Sequence, residues 1–343
     1  MSQGTAADRV GLQQRATLDD VARLAGVSPK TVSRVYADRD KVSPKTVEKV
    51  LTAAKRLRFR PNTLARTLRR GGPTTTIGFI MGELQNPFYY RVAAGIEHEL
   101  AQHGYTLVVA TTDDSIEGEE RVADTLIAQR VAALMMIPVG PDQSYLEGER
   151  HLGTPVITVD RPGRNLMADA VVLQNRRGAY EATRSLIAHG HRKIAYLCNP
   201  ATVYTQDERV AGYRDALAEI GIHETAHWER LLDDQDISSE EVAREILGSE
   251  DPPTAIVAGN NRMCVGVLRA TRDMAHPPAL IGFDDFDTAD ILEVSVVSHD
   301  AIEMGRRAAQ LALQRLADPT GATTTIELPT TLVKRGSGER PPA

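Results

Sequence analysis

Along residues 17–57 the apolar positions fall at helical intervals, in three short runs separated by cap residues. Leu18, Val21, Ala22 and Ala25 share one face of a first helix. Thr17 is its N-cap, Asp20 completes a carboxylate variant of the capping box, and Gly26 supplies the stop. Ser28 then caps, and Pro29 begins, a second helix running through Tyr36. Val32 and Val35 lie on one side of it, and Lys30 and Arg34, four residues apart, on the other. Ser43 and Pro44 repeat the device ahead of Val47, Val50, Leu51, Ala54 and Leu57, a stripe that predicts a third helix to about residue 57. Two short helices joined through Ala25-Gly26-Val27 and followed by a third describe a helix-turn-helix.

From Thr76 the pattern changes to apolar blocks alternating with helical stretches. Strands are predicted over 77–81, 105–110, 132–137 and 155–159, with helices over 88–102 and 117–129. A second cycle has helices over 178–189, 209–220 and 262–274, strands over 193–198, 255–258 and 279–283, and a late helix over 301–317. This alternation predicts two open parallel α/β subdomains. Such sheets bind ligands beyond the carboxyl ends of their strands. The candidate pocket residues are therefore Asn86-Pro87-Phe88-Tyr89, Asp160-Arg161, Asn260-Asn261, Asp284-Asp285, and Arg209, read as opening a helix after a loop. Each alone reads as a cap or turn residue; their common position at one sheet edge favours a polar pocket. Between head and body, residues 60–73 carry Pro61, Gly71 and Gly72 among arginines and read as a basic linker.

Length and composition fit two or three soluble globular domains: 343 residues, 42% apolar and 25% charged. The net charge of −6 hides a split. Residues 1–72 carry 16 Lys and Arg against 6 Asp and Glu, and the remainder 24 against 40. A basic head on an acidic body points to a polyanionic partner. A helix-turn-helix without DNA, serving as a protein-interaction domain, is the alternative that this charge disfavours. In the DNA-reading form the second helix enters the major groove. Lys30 and Arg34 then suit base edges, and Ser28, Thr31 and Ser33 suit phosphates. Cys198 and Cys264, 66 residues apart, exclude a CxxC motif and a disulfide-dense scaffold. No run of 18 apolar residues exists, and the first 16 residues lack the apolar stretch of a secretory signal. A cytoplasmic location and no membrane partner are expected. No GxxxxGK[ST], HExxH or GxSxG occurs. His189 and His191, flanking Gly190, read as turn residues. No catalytic set, cofactor or metal is expected.

The run Thr17-Leu18-x-Asp20-Val21-Ala22-x-x-Ala25-Gly26-Val27-Ser28-x-x-Thr31-Val32-Ser33-Arg34-Val35 resembles the DNA-binding signature of the LacI/GalR family of transcription regulators. Val42-Ser43 and Arg60-Pro61-Asn62-x-x-Ala65-Arg66-x-Leu68 continue it, and later pieces extend it to about residue 336. The resemblance implies a flexible extension over 1–16 and a helix-turn-helix domain over 17–59. DNA contacts are implied for Thr17, Leu18, Ser28, Pro29, Lys30, Thr31, Ser33 and Arg34. It implies a hinge helix and linker over 60–73, where Asn62, Ala65, Leu68 and Arg69 meet the minor groove and Leu68 wedges a base step. Residues 74–335 would form a periplasmic-binding-protein-like core, and 336–343 a flexible tail. The core's subdomains would be about 74–173 with 300–320, and 174–299 with 321–335.

Asn86-Pro87-Phe88-Tyr89 resembles the family's NPF loop, and Arg209-x-x-Gly212-Tyr213 its RxxG motif, whose arginine clamps effector. Gly282-Phe283-Asp284-Asp285 resembles its GFDD motif, and Asp160 matches the aspartate of a VDR stretch. The implied effector residues are Phe88, Tyr89, Asp160, Arg209, Asn260 and Asp284. Departures are also legible. Asn260-Asn261 stands for Asn-Asp, His299-Asp300 for Gln-Pro, and Gln174-Asn175 for Asp-Asn; residues 273–281 are shortened, so that the strand leading to Asp284 is expected to be displaced. Trp228 precedes the place where some members stack an aromatic on effector, so no aromatic sandwich is expected. The function implied is a homodimeric regulator of a pseudo-palindromic operator, controlled by a small-molecule effector such as a sugar. A sugar-binding protein or sugar-processing enzyme on the same core is the alternative. The tail lacks leucine heptads, which disfavours a coiled-coil tetramer.

Overall fold

The computed structural model describes residues 16–60, 74–199, 203–232 and 238–342. The chain divides into two units, Met1–Gly72 and Pro73–Ala343. In the first, α1 (Leu18–Ala25), α2 (Pro29–Ala37) and α3 (Pro44–Arg56) start where the caps predict. The Thr17 Oγ1 accepts the Asp20 N–H at 3.3 Å, and the Asp20 carboxylate accepts the Thr17 N–H at 2.9 Å. Gly26 ends α1 at φ 67°, a conformation that a side chain disfavours. Ser28 and Ser43 accept the N–H of Thr31 and Thr46 in the same way. The three apolar faces meet in one small core of Val21, Val32, Val35, Val47, Val50 and the alanines of α3. So small a core makes caps matter. Thr17→Ala is expected to destabilise this unit by about 1 kcal/mol, read as a lower midpoint in denaturant unfolding.

The second unit begins with β1 (Thr76–Met81), α4 (Pro87–Gln102), β2 (Thr106–Thr111), α5 (Ile116–Ala128), β3 (Leu134–Met136), α6 (Glu147–His151), β4 (Val156–Asp160) and β5 (Asp169–Leu173). It crosses to a second subdomain through α7 (Asn175–Ala188), β6 (Ile194–Cys198), α8 (Tyr204–Ala218), β7 (Glu229–Leu231), α9 (Ser239–Leu247), β8 (Ala255–Ala258), α10 (Asn261–Thr271), β9 (Ala279–Phe283) and β10 (Ser295–Ser298). The chain returns for α11 (Ala301–Ala317) and β11 (Thr325–Leu328), then crosses a third time to β12 (Thr331–Val333). The sheets run β11-β5-β4-β3-β1-β2 and β12-β10-β9-β8-β6-β7. Every pairing is parallel except β10 with β12. Aliphatic strands such as Ile77–Met81, apolar at successive positions, follow from burial on both faces.

Three expectations are corrected. Residues 321–335 do not join the second subdomain as a block, because β11 pairs with β5 of the first. The cause is a buried pair: Arg315 on α11 grips Asp169 at the start of β5, at 2.5 and 2.8 Å, and Arg315 also holds Gly321 O at 2.6 Å. Asp169 in turn accepts the Thr324 N–H at 2.7 Å, which seats the strand on the β5 edge. The tail over 336–342 is docked rather than loose. The Ser337 hydroxyl donates to Leu280 O at 2.6 Å and accepts the Ser295 N–H at 2.9 Å, and His191 Nε2 donates to Arg340 O at 2.7 Å. The buried His191 ties the tail to its subdomain, beyond the turn role predicted for it. Finally, β9 lies in register between β8 and β10, so the short segment before Gly282 is absorbed in the loop and the strand is not displaced. Among the described residues no helix is long and apolar enough to cross a membrane. Both cysteines are buried.

Candidate functional sites

In the first unit, α2 buries Val32 and Val35, which turns Lys30, Ser33 and Arg34 outward. Ser28 and Pro29 are exposed at its start. Thr31 is half-buried, its hydroxyl 2.8 Å from Ser28 Oγ, so both hydroxyls already serve the helix start. Thr17 is exposed and occupied as a cap, while Leu18 packs partly into the core. No acidic residue lies in the first turn of α2. The exposed face is thus cationic and rich in hydroxyls, ahead of a helix N-terminus that favours anions. Asn62, Ala65, Leu68 and Arg69 lie outside the described residues.

In the second unit, the carboxyl ends of the strands open on a cleft of about 190 Å³. Phe88, Tyr89, Asp160, Arg209, Asn260 and Asp284 all line it. Its construction is symmetrical in kind. Asp160 ends β4 and Asp284 follows β9, and both adopt left-handed backbone, at φ 66° and 67°. Asn86 caps α4 by accepting the Phe88 N–H at 3.1 Å, and Asn260 caps α10 by accepting the Met263 N–H at 2.9 Å. Capping and pocket-lining are therefore one role at these positions.

Arg209 is the hub. It sits inside α8, which starts five residues earlier at Tyr204, not at a helix opening. Its Nε donates to Asn175 Oδ1 at 2.7 Å and one terminal nitrogen to Gly259 O at 2.7 Å. The guanidinium stacks 3.6 Å from the Phe283 ring centroid and faces Asp284 at 3.4 Å. Gly212, one turn on, explains the motif spacing. A Cβ there would lie 2.0 Å from Arg176 O, so glycine lets α8 press against α7 and aim Arg209 inward. His299 Nε2 donates to Asp284 Oδ1 at 3.0 Å, and its ring meets Phe88 edge-on at 5.4 Å. Asn175, which keeps the family pattern, and His299, which departs from it, thus support the hub.

The two cleft aspartates are driven apart. Burial pushes Asp284 up, but Arg209 and the bond from His299 outweigh it and hold the carboxyl below the usual range. Burial also raises Asp160, and Arg161 and Arg209 only partly offset it. A carboxyl raised by folding contributes stability below its unfolded-state pKa, and that contribution is lost as pH rises through its folded value. Asp160→Asn is therefore expected to raise the melting temperature at pH 7.5, with the difference shrinking as the buffer is taken towards pH 4. A variant destabilised equally across that range would contradict this.

The strand-end rule reached five of the six residues, with Arg209 found from its motif, but not the whole lining. Glu83, Asp114 and Asn199 also follow strands, and Gln206 sits three residues before Arg209 on the same helix face. The helical period and the strand ends were the available signals for them. Bonds also cross the cleft: Arg262 pairs with Glu83, Asn261 Nδ2 donates to Asn86 Oδ1 at 3.2 Å, and Tyr90 and Arg91 reach Asp287. Asp285 diverges from Asp284 and pairs with Arg335 at 2.7 Å. Trp228 is buried in the second subdomain's core. No cluster of metal-ligating side chains occurs among the described residues.

The comparisons agree with this division of the chain. Residues 17–62 match the model for bacterial regulatory proteins of the lacI family. Residues 74–335 match that for periplasmic binding proteins and the sugar binding domain of the LacI family. The ribose operon repressor of Escherichia coli K12 is 31% identical, over 94% of this chain and 99% of its own. The transcriptional regulator GalR of Salmonella typhimurium LT2 is 32% identical, over 95% and 97%. The crystal structure of the Lac repressor dimer bound to operator and the anti-inducer ONPF superposes with a TM-score of 0.81 at 26% identity, covering 95% of this chain and all of that one. With a helix-turn-helix unit and a two-subdomain effector-type core in this order, the chain belongs to the lacI family of bacterial regulatory proteins, which are transcription regulators and not enzymes.

Proposed function

We propose that this regulator is a homodimeric repressor of a pseudo-palindromic operator, relieved or reinforced by a small polar effector, a sugar or related metabolite, in the Arg209–Asp284 cleft. The observation that carries the reading is the pairing, in one chain, of a cationic, capped helix-turn-helix face with a buried polar cleft. Lys30 and Arg34 read base edges; Ser28, Thr31, Ser33, Thr17, Leu18 and Pro29 lie against the backbone of the duplex. Asn62, Ala65, Leu68 and Arg69 serve the central minor groove. Phe88, Tyr89, Asp160, Arg209, Asn260 and Asp284 hold the effector. Two-fold symmetry in the protein asks for two half-sites in DNA, and a DNA partner goes with a cytoplasmic location. Effector acts through a difference in affinity between open and closed arrangements of the cleft, a coupling of about 1–3 kcal/mol.

The test is selection from a randomised duplex pool at fixed salt, with and without pooled metabolites. A two-fold symmetric consensus with a deformable central step is expected. Enrichment of a single asymmetric half-site would refute the dimer, and no enrichment in either condition would refute the regulator.

A further inference from the structure

Val139, after β3, and Asp160-Arg161, at the end of β4, form one wall of the cleft. What fixes this wall is a side chain that does not line the cleft. Glu119, in the first turn of α5, is 1% exposed. One of its carboxylate oxygens accepts the Val139 N–H, and the Gly140 N–H at 3.3 Å. The other accepts from Gln143 Nε2 at 3.2 Å and from the Tyr145 hydroxyl at 3.0 Å. Gln143 is itself fully buried and carries the contact on. Its Oε1 accepts the Arg164 N–H at 2.9 Å, and its own N–H donates to Arg164 O at 2.9 Å. Arg161 is held from the same loop. Its guanidinium donates to Pro138 O at 2.9 Å and lies 3.6 Å from Asp160.

Packing does not ask for a carboxylate at this place. Apolar side chains, Ala123 and Leu126 among them, already seat α5 on its sheet. A buried carboxylate is costly unless its lone pairs are used. Here four donors use them, and among the described residues no lysine or arginine pairs with Glu119. A fully bonded buried network imposes one arrangement on the segments that supply its donors. Those segments are residues 138–145 and, through Gln143, residues 161–164, the two that carry the wall.

We propose that Glu119 is a positioning residue of the effector cleft: from outside, its carboxylate sets the place of Val139 and, through Pro138 and Gln143, that of Arg161 against Asp160. This rests on the cleft being the effector site. The cation beside Asp160 is then placed by a residue that effector does not touch. Asp160 also faces Arg209, Asp284 and His299, none of which is bonded to Glu119.

The test is residue-resolved amide exchange on the full chain, without effector or operator, together with carboxyl titration of Asp160 by NMR of labelled aspartates. Glu119→Met keeps most of the volume and removes the acceptor for all four donors. Exchange at Val139 and Gly140 is expected to rise about tenfold or more, a local opening of the loop. Glu119→Gln separates the two arms, because its single amide oxygen can serve only one pair of donors. Turned to Val139 and Gly140, it brings a second amide nitrogen against Gln143 Nε2, so exchange should rise at Arg164 and not at Val139. Asp160 is expected to titrate at higher pH in Glu119→Met and in Arg161→Met, and no higher in the two combined. A merely structural role would loosen α5 as a whole and leave the Asp160 titration in place. Unchanged exchange at Val139 in Glu119→Met and at Arg164 in Glu119→Gln, or an unmoved Asp160 titration, overturns the proposal. If Glu119→Met does not fold, the Arg164 signature of Glu119→Gln decides alone.

Operator release by a pool of free pentoses, hexoses and disaccharides is measured on the same proteins. Half-release in Glu119→Met is expected to need about tenfold more sugar than wild type. An equal response with the wall loosened places Glu119 outside effector binding and overturns the proposal. A wild type that the pool does not release counts against the sugar reading of the cleft instead, and exchange and titration still decide the role of Glu119.

Discussion

Arg209→Met is expected to remove effector response and to cost the second unit about 3–5 kcal/mol of stability. The residue is 3% exposed and bonds at once to Asn175 Oδ1, Gly259 O and Asp284. Methionine keeps most of the volume and the packing against Phe283, but leaves a buried carboxylate facing only His299. Effector affinity should fall by about a hundredfold, since truncating one partner of a buried hydrogen-bonded charge pair costs about 2–5 kcal/mol in binding. Arg209→Lys should rescue little, because one ammonium cannot serve three acceptors in a planar fork. The double change Arg209→Met with Asp284→Asn separates the causes. It should recover part of the stability, as the unpaired charge is gone, and none of the response. Calorimetric unfolding and effector titration of the three variants test this. Unchanged effector affinity in Arg209→Met would remove the arginine from the site.

What could be read in the sequence was what short-range chemistry determines. Thr17, Ser28 and Ser43 cap within three residues of themselves, so the helix starts of the first unit were legible one by one. Five of the six cleft residues, all but Arg209, were legible because strand ends point to one edge whatever the details of packing. Long-range partners were not. The seat of β11 depends on Arg315 and Asp169, 146 residues apart, and the docking of the tail on Ser295 and Ser337, 42 apart. The hub role of Arg209 could be named from its motif, but its position within α8 could not, since the helix starts after Val203, which offers no side-chain cap, while the cap-type residues Thr205 and Asp207 lie inside it. His299 stood out only as a departure from the family pattern. That it supports Asp284 is a contact between neighbouring strands β9 and β10, invisible to periodicity.

Arg34→Ala is expected to cost about 1–3 kcal/mol in operator affinity and to relax preference at one base position in each half-site. On α2, Val32 and Val35 fill the core and leave Arg34 exposed. Removing an exposed side chain there should change stability little, so weaker binding would report on DNA and not on folding. Lys30 lies four residues earlier on the same face. With Pro29 offering no N–H and Ser28 and Thr31 bonded to each other, these two side chains carry the donors free to reach base edges. Ser33→Ala is the contrast: taking a hydroxyl away from a phosphate should weaken binding to all sequences alike. The measurement is a binding-site selection repeated with each variant, together with the salt dependence of affinity for one operator. If Arg34→Ala weakened every sequence uniformly, with the salt slope reduced by about one, Arg34 would be a phosphate ligand and base readout would fall to Lys30. If the consensus loosened at a single position per half-site, the arginine would be reading that base, and the exposed face of α2 would be the surface that selects the operator.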